Sequence, residues 1–271
     1  MFNHDGTYYL YYSVSTLGSQ ESDIGVATSD SVSASALVQD HCCILRRHPQ
    51  STLVSSSSTS FQQLEDVFCH RESCTKVRGL VDSNLPMLVL TAHPEQLELG
   101  SWKDHGSIGI LPDPKYNRID PNLFRYNEDS AYYLSFGSYW DNIFQVEMDD
   151  PPLKVAGHPA HLEQNTTSRP DDLPESPVEG SYQFWWTVDD TDYFYLFFSS
   201  GACCNEPPDL VPKGEEYKIT VCRSTSATAG FKDKDGKDCL TENGGTLVLG
   251  SHGDVYAPGG QGERSRDSVV L

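Results

Sequence analysis

Two acids stand out, Asp120 in "YNRIDPNLF" and Glu179 in "SPVEGSYQF", each at the mouth of an apolar stretch. A carboxyl pair is what acid/base chemistry on a glycosidic bond requires. One protonated carboxyl serves the departing oxygen, and a carboxylate serves water or tunes its neighbour. Each acid also has a plainer reading, since Asp-Pro opens turns and a Glu before Gly-Ser suits one as well. The choice depends on whether the two positions are equivalent in the fold, so the elements that carry them come next.

Three stretches resemble one another: "DGTYYLYYSVST" from Asp5, "DSAYYLSFGSYW" from Asp129 and "TDYFYLFFSSG" from Thr191. Each is a turn followed by aromatic and β-branched residues, which reads as a strand. Each is followed by a second strand, "DIGVATS", "NIFQVEM" or "YKITVCRS", and two are preceded by an apolar one, "IDPNLFRY" or "VEGSYQFWW". The unit is a meander of short antiparallel strands, with "WKDHG" and "FKDKDG" as its outer turns. Such repeats predict an all-β propeller, in which each blade packs on its neighbours. The innermost strand of each blade lines the channel, so Asp120 and Glu179 would face one funnel mouth from adjacent blades.

The spacing is broken in one place. Leu134 and Leu196 lie 62 positions apart, whereas Leu10 and Leu134 lie 124 apart. Residues 33–96 hold no Tyr, no Trp and one Gly, but include "SSSSTS", "HCC" and "LRRHP". A decayed blade should keep turn glycines and aromatics, so this stretch reads as an insertion into a single domain spanning 1–271. Within it "FQQLEDVFCHRESCTKV" is expected to form a short helix.

The net charge of −20 repels nucleic acid, anionic membranes and polyanionic substrates, leaving a neutral or cationic ligand. No apolar run is long enough for a membrane span, and "MFNHDGTYYL" lacks the layout of a secretory signal. Of eight cysteines, Cys42, Cys43, Cys69 and Cys74 form one group, and Cys203, Cys204, Cys222 and Cys239 another. The second group is expected to form disulfides, and "NTT" at Asn165 is an N-glycosylation sequon that also suggests a secreted ancestry. No G-x-S-x-G elbow or P-loop is present.

"IDPNLF", "VEGSY", "YYLYYSVSTLGSQESDIGVATS", "YYLSFGSYWDNIFQV", "LFFSSGACC", "YKITVCRS" and "SHGDVYAPGGQG" together resemble the fungal arabinanases of glycoside hydrolase family 43. The similarity covers roughly residues 1–32 and 97–262. It implies a five-bladed β-propeller that cleaves α-1,5-linked arabinan with inversion, outside the cell. By motif, Glu179 matches the family's general acid and Asp120 the residue that orients it and modulates its pKa. The family's base sits in a "DPS"-type motif of the first blade. "MFNHDGTYYLYYSVST" aligns with the second blade, so the base and first blade are expected to be absent, with most of the last blade. Little or no hydrolase activity is then expected of this polypeptide.

His252 matches the family histidine near the channel axis, which implies one calcium ion, and no organic cofactor. One imidazole is not a site for a hard, oxygen-seeking cation, and a channel histidine bonded to backbone or water is the plainer reading. Ser138, Tyr139 and Trp140 close an aromatic strand and are expected to meet a sugar face, while Tyr132 and Tyr133 are expected to pack within a blade. The expected partner is arabinan or an arabino-oligosaccharide, bound by a monomer. Three alternatives stand beside this: a β-xylosidase or exo-arabinofuranosidase of the same family, a non-catalytic carbohydrate binder, or the unfunctional product of an imperfect gene reading.

Overall fold

The computed structural model describes residues 2–16, 18–31, 54–56, 59–70, 73–82, 102–167, 177–202, 205 and 207–262. Among them are fifteen strands and no helix. The chain divides into two compact units, residues 32–100 and the remainder. In the larger unit β1 (Phe2–His4), β2 (Thr7–Ser15) and β3 (Ser22–Ser29) open the first sheet. Asp5 and Gly6 join β1 to β2 with φ of 49° and 81°. Two successive positive φ values make a two-residue hairpin turn, which Asp-Gly favours because Gly carries no Cβ and Asp tolerates that region.

The smaller unit contains β4 (Val54–Ser56), β5 (Thr59–His70) and β6 (Ser73–Asp82) in one antiparallel sheet. This corrects the helix expected for "FQQLEDVFCHRESCTKV". β5 and β6 pair continuously from Phe61 opposite Asp82 to His70 opposite Ser73. Helix propensities differ by only tenths of a kcal/mol per residue, roughly, so a continuous ladder with Val67, Val77 and Val81 in it overrides them. "HCC", "LRRHP", Cys203 and Cys204 lie outside the described residues.

β7 (Lys103–Ser107) completes the first sheet, in the order β1-β2-β3-β7. "WKDHG" is thus largely an outer strand instead of a turn, because its backbone pairs with β3 from Gly25 to Thr28. "FKDKDG" does turn, with Gly236 N–H donating to the Asp233 carbonyl. The second sheet is β8 (Asn122–Phe124), β9 (Tyr132–Phe136), β10 (Ile143–Met148) and β11 (Ala160–Glu163). The third is β12 (Val178–Val188), β13 (Thr191–Ser200), β14 (Lys218–Ser224) and β15 (Thr246–Leu249). The last two sheets are meanders whose sequential strands pair antiparallel.

Strand alternation explains how the second sheet is buried on both faces. Phe144, Val146 and Met148 of β10 join Ile24, Val26, Leu134 and Phe136 in one apolar core. Ile143 instead joins Phe124, Val178, Leu196 and Phe198 in a second core, against the third sheet. Cys222 and Cys239 lie in that second core, joined as a disulfide. The seam between these sheets also carries bonded polar groups. Gln145 and Gln183 donate to the Ala227 carbonyl, and Ser181 Oγ donates to Ser135 Oγ at 2.9 Å. Paired polar groups in such a seam favour one relative placement of the sheets, because any other leaves buried donors unmade.

Candidate active site

Asp120 sits just before β8 with φ of 57°, in the left-handed region that Asp tolerates better than bulkier residues. Pro121 follows it, and the Gly137 N–H donates to the Ile119 carbonyl at 2.9 Å, so the turn is fixed from both sides. Gly137 permits this because a Cβ there would lie 1.9 Å from the Asn142 carbonyl oxygen. The Asp120 N–H donates to Ser13 Oγ of β2 at 3.2 Å. Its Oδ2 accepts the Gly180 N–H of β12 at 3.2 Å. All three sheets of the larger unit therefore meet at this one residue.

Glu179 stands at the start of β12, where the pairing with β13 shifts register between Glu179 and Tyr182. Such a bulge re-aims the side chains on either side of it. Both carboxylate oxygens are engaged. Oε2 accepts Ser138 Oγ–H at 2.6 Å, and Oε1 accepts the Tyr217 hydroxyl at 2.9 Å. A second ring of bonds backs this clamp. Ser199 Oγ donates to Gln261 Oε1 at 2.9 Å and accepts the Gly260 N–H at 3.0 Å. Gln261 Nε2 in turn donates to the Gly180 carbonyl. The "PGGQG" segment can pass this close because a Cβ on Gly259 would lie 1.9 Å from the Tyr217 ring.

The electrostatics follow from that crowding. Burial, and then the charge of Glu179, push the Asp120 carboxyl up from the ordinary 3.8 to about 6, against the pull of the Gly180 N–H. Burial and the same negative charge also raise the Tyr217 phenol, so it stays protonated as a donor. Two carboxyl groups, one of them titrating near neutrality, share a partly buried site with two hydroxyls and a backbone N–H.

Asp120 and Glu179 are thus brought together, linked through Gly180. Ser138 is only 2% exposed, and its hydroxyl is turned onto Glu179. Tyr139 and Trp140 are partly buried and both left-handed, with φ of 56° and 50°. Consecutive strained residues of this kind cost roughly 1–2 kcal/mol each and gather at functional sites. The Tyr139 N–H donates to the Val178 carbonyl at 3.2 Å, which fixes the pair beside Glu179.

His252 is exposed, with Nδ1 2.9 Å from the Gly250 carbonyl, in a turn closed by bonds between His252 and Val255. No three His, Cys, Asp or Glu side chains among the described residues gather around one point that could hold a metal ion. The His, Cys, Asp and Glu side chains of the described residues therefore do not by themselves make up a calcium cage.

Ser13, Ser199, Tyr217 and Gln261 were not found from the sequence. A partial signal existed for Ser199, which pairs with Glu179 across β12 and β13. Counting back from the Asp189-Asp190 turn, however, places Ser200 opposite Glu179, and only the bulge shifts the partner to Ser199.

Residues 67–265 match the model of glycosyl hydrolases family 43. Arabinan endo-1,5-alpha-L-arabinosidase A of Aspergillus aculeatus is 40% identical over 261 residues, covering 95% of this chain and 57% of the relative. The enzyme of the same name from Aspergillus niger is 38% identical over 260 residues, with the same coverage. Among solved structures, a native Bacillus subtilis arabinanase matches with a TM-score of 0.56 and 26% identity, over 95% of this chain and 60% of that one. The chain spans somewhat more than half the length of these relatives. The family match takes in both β12 with Glu179 and the turn with Asp120, and on it the chain belongs to glycosyl hydrolases family 43.

Proposed function

We propose that the Asp120–Glu179 cluster is the acid half of an inverting glycosidase site for α-1,5-linked L-arabinan in plant cell walls. The observation that carries it is the pairing of two carboxyl groups from adjacent sheets, bridged by the Asp120–Gly180 bond and clamped by Ser138 and Tyr217. The arabinosidase names of the relatives support the substrate. In this reading the three four-stranded sheets are consecutive blades of a five-bladed propeller.

Glu179 gives its proton to the departing glycosidic oxygen. The hydroxyls of Ser138 and Tyr217 suit that cycle, because a hydroxyl can rotate to accept from the protonated acid and donate to the ionised one. Asp120 orients Glu179 and, by like-charge proximity, opposes the ionisation of both carboxyls at once. Inversion also needs a carboxylate that activates water on the opposite face of the sugar. Among the described residues, the carboxyl groups bonded into the cluster are those of Asp120 and Glu179. Tyr139 and Trp140 supply the wall beside the acid, and the site works outside the cell.

The test is release of reducing ends from debranched arabinan, compared with an aryl α-L-arabinofuranoside whose leaving group needs no proton. Loss in Glu179→Gln on arabinan, with a smaller loss on the aryl substrate, is the expected result. Equal rates for both proteins on both substrates would overturn the assignment. Calorimetric binding of arabino-oligosaccharide with no product would instead establish a carbohydrate binder without turnover.

A further inference from the structure

Asn165-Thr166-Thr167 is the one Asn-x-Ser/Thr triplet in the sequence, and its middle residue is not proline. The triplet follows β11, the outer strand of the second sheet. Thr166 and Thr167 are exposed and Asn165 is partly so. Asn165 Oδ1 accepts the Thr167 N–H at 3.0 Å, an Asx turn that folds the side-chain amide over the residue two places on.

The backbone around it is held at both ends. The Asn165 N–H donates to Asn142 Oδ1 at 2.8 Å. Thr166 donates through its N–H and its hydroxyl to Asn243 Oδ1, at 2.8 and 3.0 Å. Asn142 follows directly on Tyr139 and Trp140, its N–H donating to the Tyr139 carbonyl at 2.7 Å. Asn243 lies before β15 of the third sheet. The triplet therefore bridges the rims of two sheets, on the side of the second sheet where Ser138 meets Glu179.

A separate observation bears on compartment. Buried Cys222 of β14 and buried Cys239, which lies between β14 and β15, are joined as a disulfide. Disulfides of this structural kind form in oxidising compartments such as the secretory lumen, where N-glycosylation also takes place.

We infer that Asn165 is an N-glycosylation site, modified on its side-chain amide nitrogen by an oligosaccharide from a lipid-pyrophosphate-linked donor. The step is a transfer without redox change. The bond from the sugar C1 to the donor phosphate oxygen breaks, a C1–Nδ2 bond forms, the amide loses one proton, and the lipid pyrophosphate leaves. The modified amide keeps its carbonyl oxygen for the Thr167 N–H and one N–H of its own, so the turn survives modification. The glycan then stands at the outer rim of the second sheet. This inference does not depend on the chain being catalytic.

The test is the full chain carried into the secretory lumen of a yeast host behind a cleavable signal, and analysed whether exported or retained. Peptide mapping should find Asn165 glycosylated and converted to Asp by peptide N-glycosidase. Thr167→Ala, which leaves Asn165 in place, should lose the modification, and Thr167→Ser should keep it. Asn165→Gln should lose it too, but the wild-type map decides the matter even if that variant misfolds. A lumenal chain with Cys222–Cys239 oxidised and Asn165 unmodified would overturn the inference.

Discussion

The second and third sheets each offer a carboxyl at the head of the first strand, yet they hold it by different means. Asp120 lies outside β8, in a left-handed turn, and its carboxylate is met by a backbone N–H. Glu179 lies inside β12, at a bulge, and is met by two side-chain hydroxyls. A backbone N–H can only donate, whereas a hydroxyl can reverse its role. Equivalent positions in a repeat thus acquire unequal surroundings: one carboxylate oxygen meets a fixed donor, and the other carboxyl meets two groups that can reverse their role.

The sharpest way to break that contrast is Glu179→Gln, which keeps the shape and removes the proton. A loss of about 10²- to 10⁴-fold is expected in arabinan hydrolysis, measured as reducing-end release. Next comes Cys239→Ser, which loosens the sheet carrying Glu179 and leaves the second sheet intact. Opening the disulfide, whose cysteines lie 17 positions apart, should cost about 3 kcal/mol in urea unfolding. Full retention of stability would mean that β12 is held by its core alone.

Tyr217→Phe and Ser138→Ala each remove one hydroxyl from Glu179. Hydrogen bonds to charged groups contribute about 1.5–3 kcal/mol, so each variant should lose roughly tenfold or more in kcat with little change in KM. An effect confined to KM would make these hydroxyls substrate contacts. The last test is read as a pH dependence and belongs to Asp120. Its folded pKa is raised, from 3.8 to about 6, so its contribution to stability is fully present below about pH 4 and lost as pH rises through about 6. Asp120→Asn should flatten that part of the stability profile, read as thermal midpoints across pH 4 to 7. An unchanged slope would place the titrating group elsewhere.

The strands that carry this site were legible because aromatic repeats, turn residues and alternation are local signals. "TYYLYYSVS" and "TDYFYLFFSS" fold as strands in β2 and β13, and Asp5-Gly6 makes the turn its composition suggests. The segment at 61–77 was misread because its local preference is weak, and its strand state depends on a partner that lies within the same stretch. The bond from Ser138 to Glu179 was not legible for a related reason: a serine beside two aromatics does not declare which way its hydroxyl turns.

The sequence by itself determined the all-β class, the two acids at equivalent strand heads, and the family. Tertiary structure alone decided what surrounds those acids. Ser138 and Tyr217 reach Glu179 from 41 and 38 positions away in the chain. Ser13 reaches Asp120 from 107 positions away. A bulge at Glu179 also replaces the partner that simple counting gives. Strand identity follows from short-range pattern, but a proton's environment is set by whichever side chains the packed sheets bring within hydrogen-bonding distance.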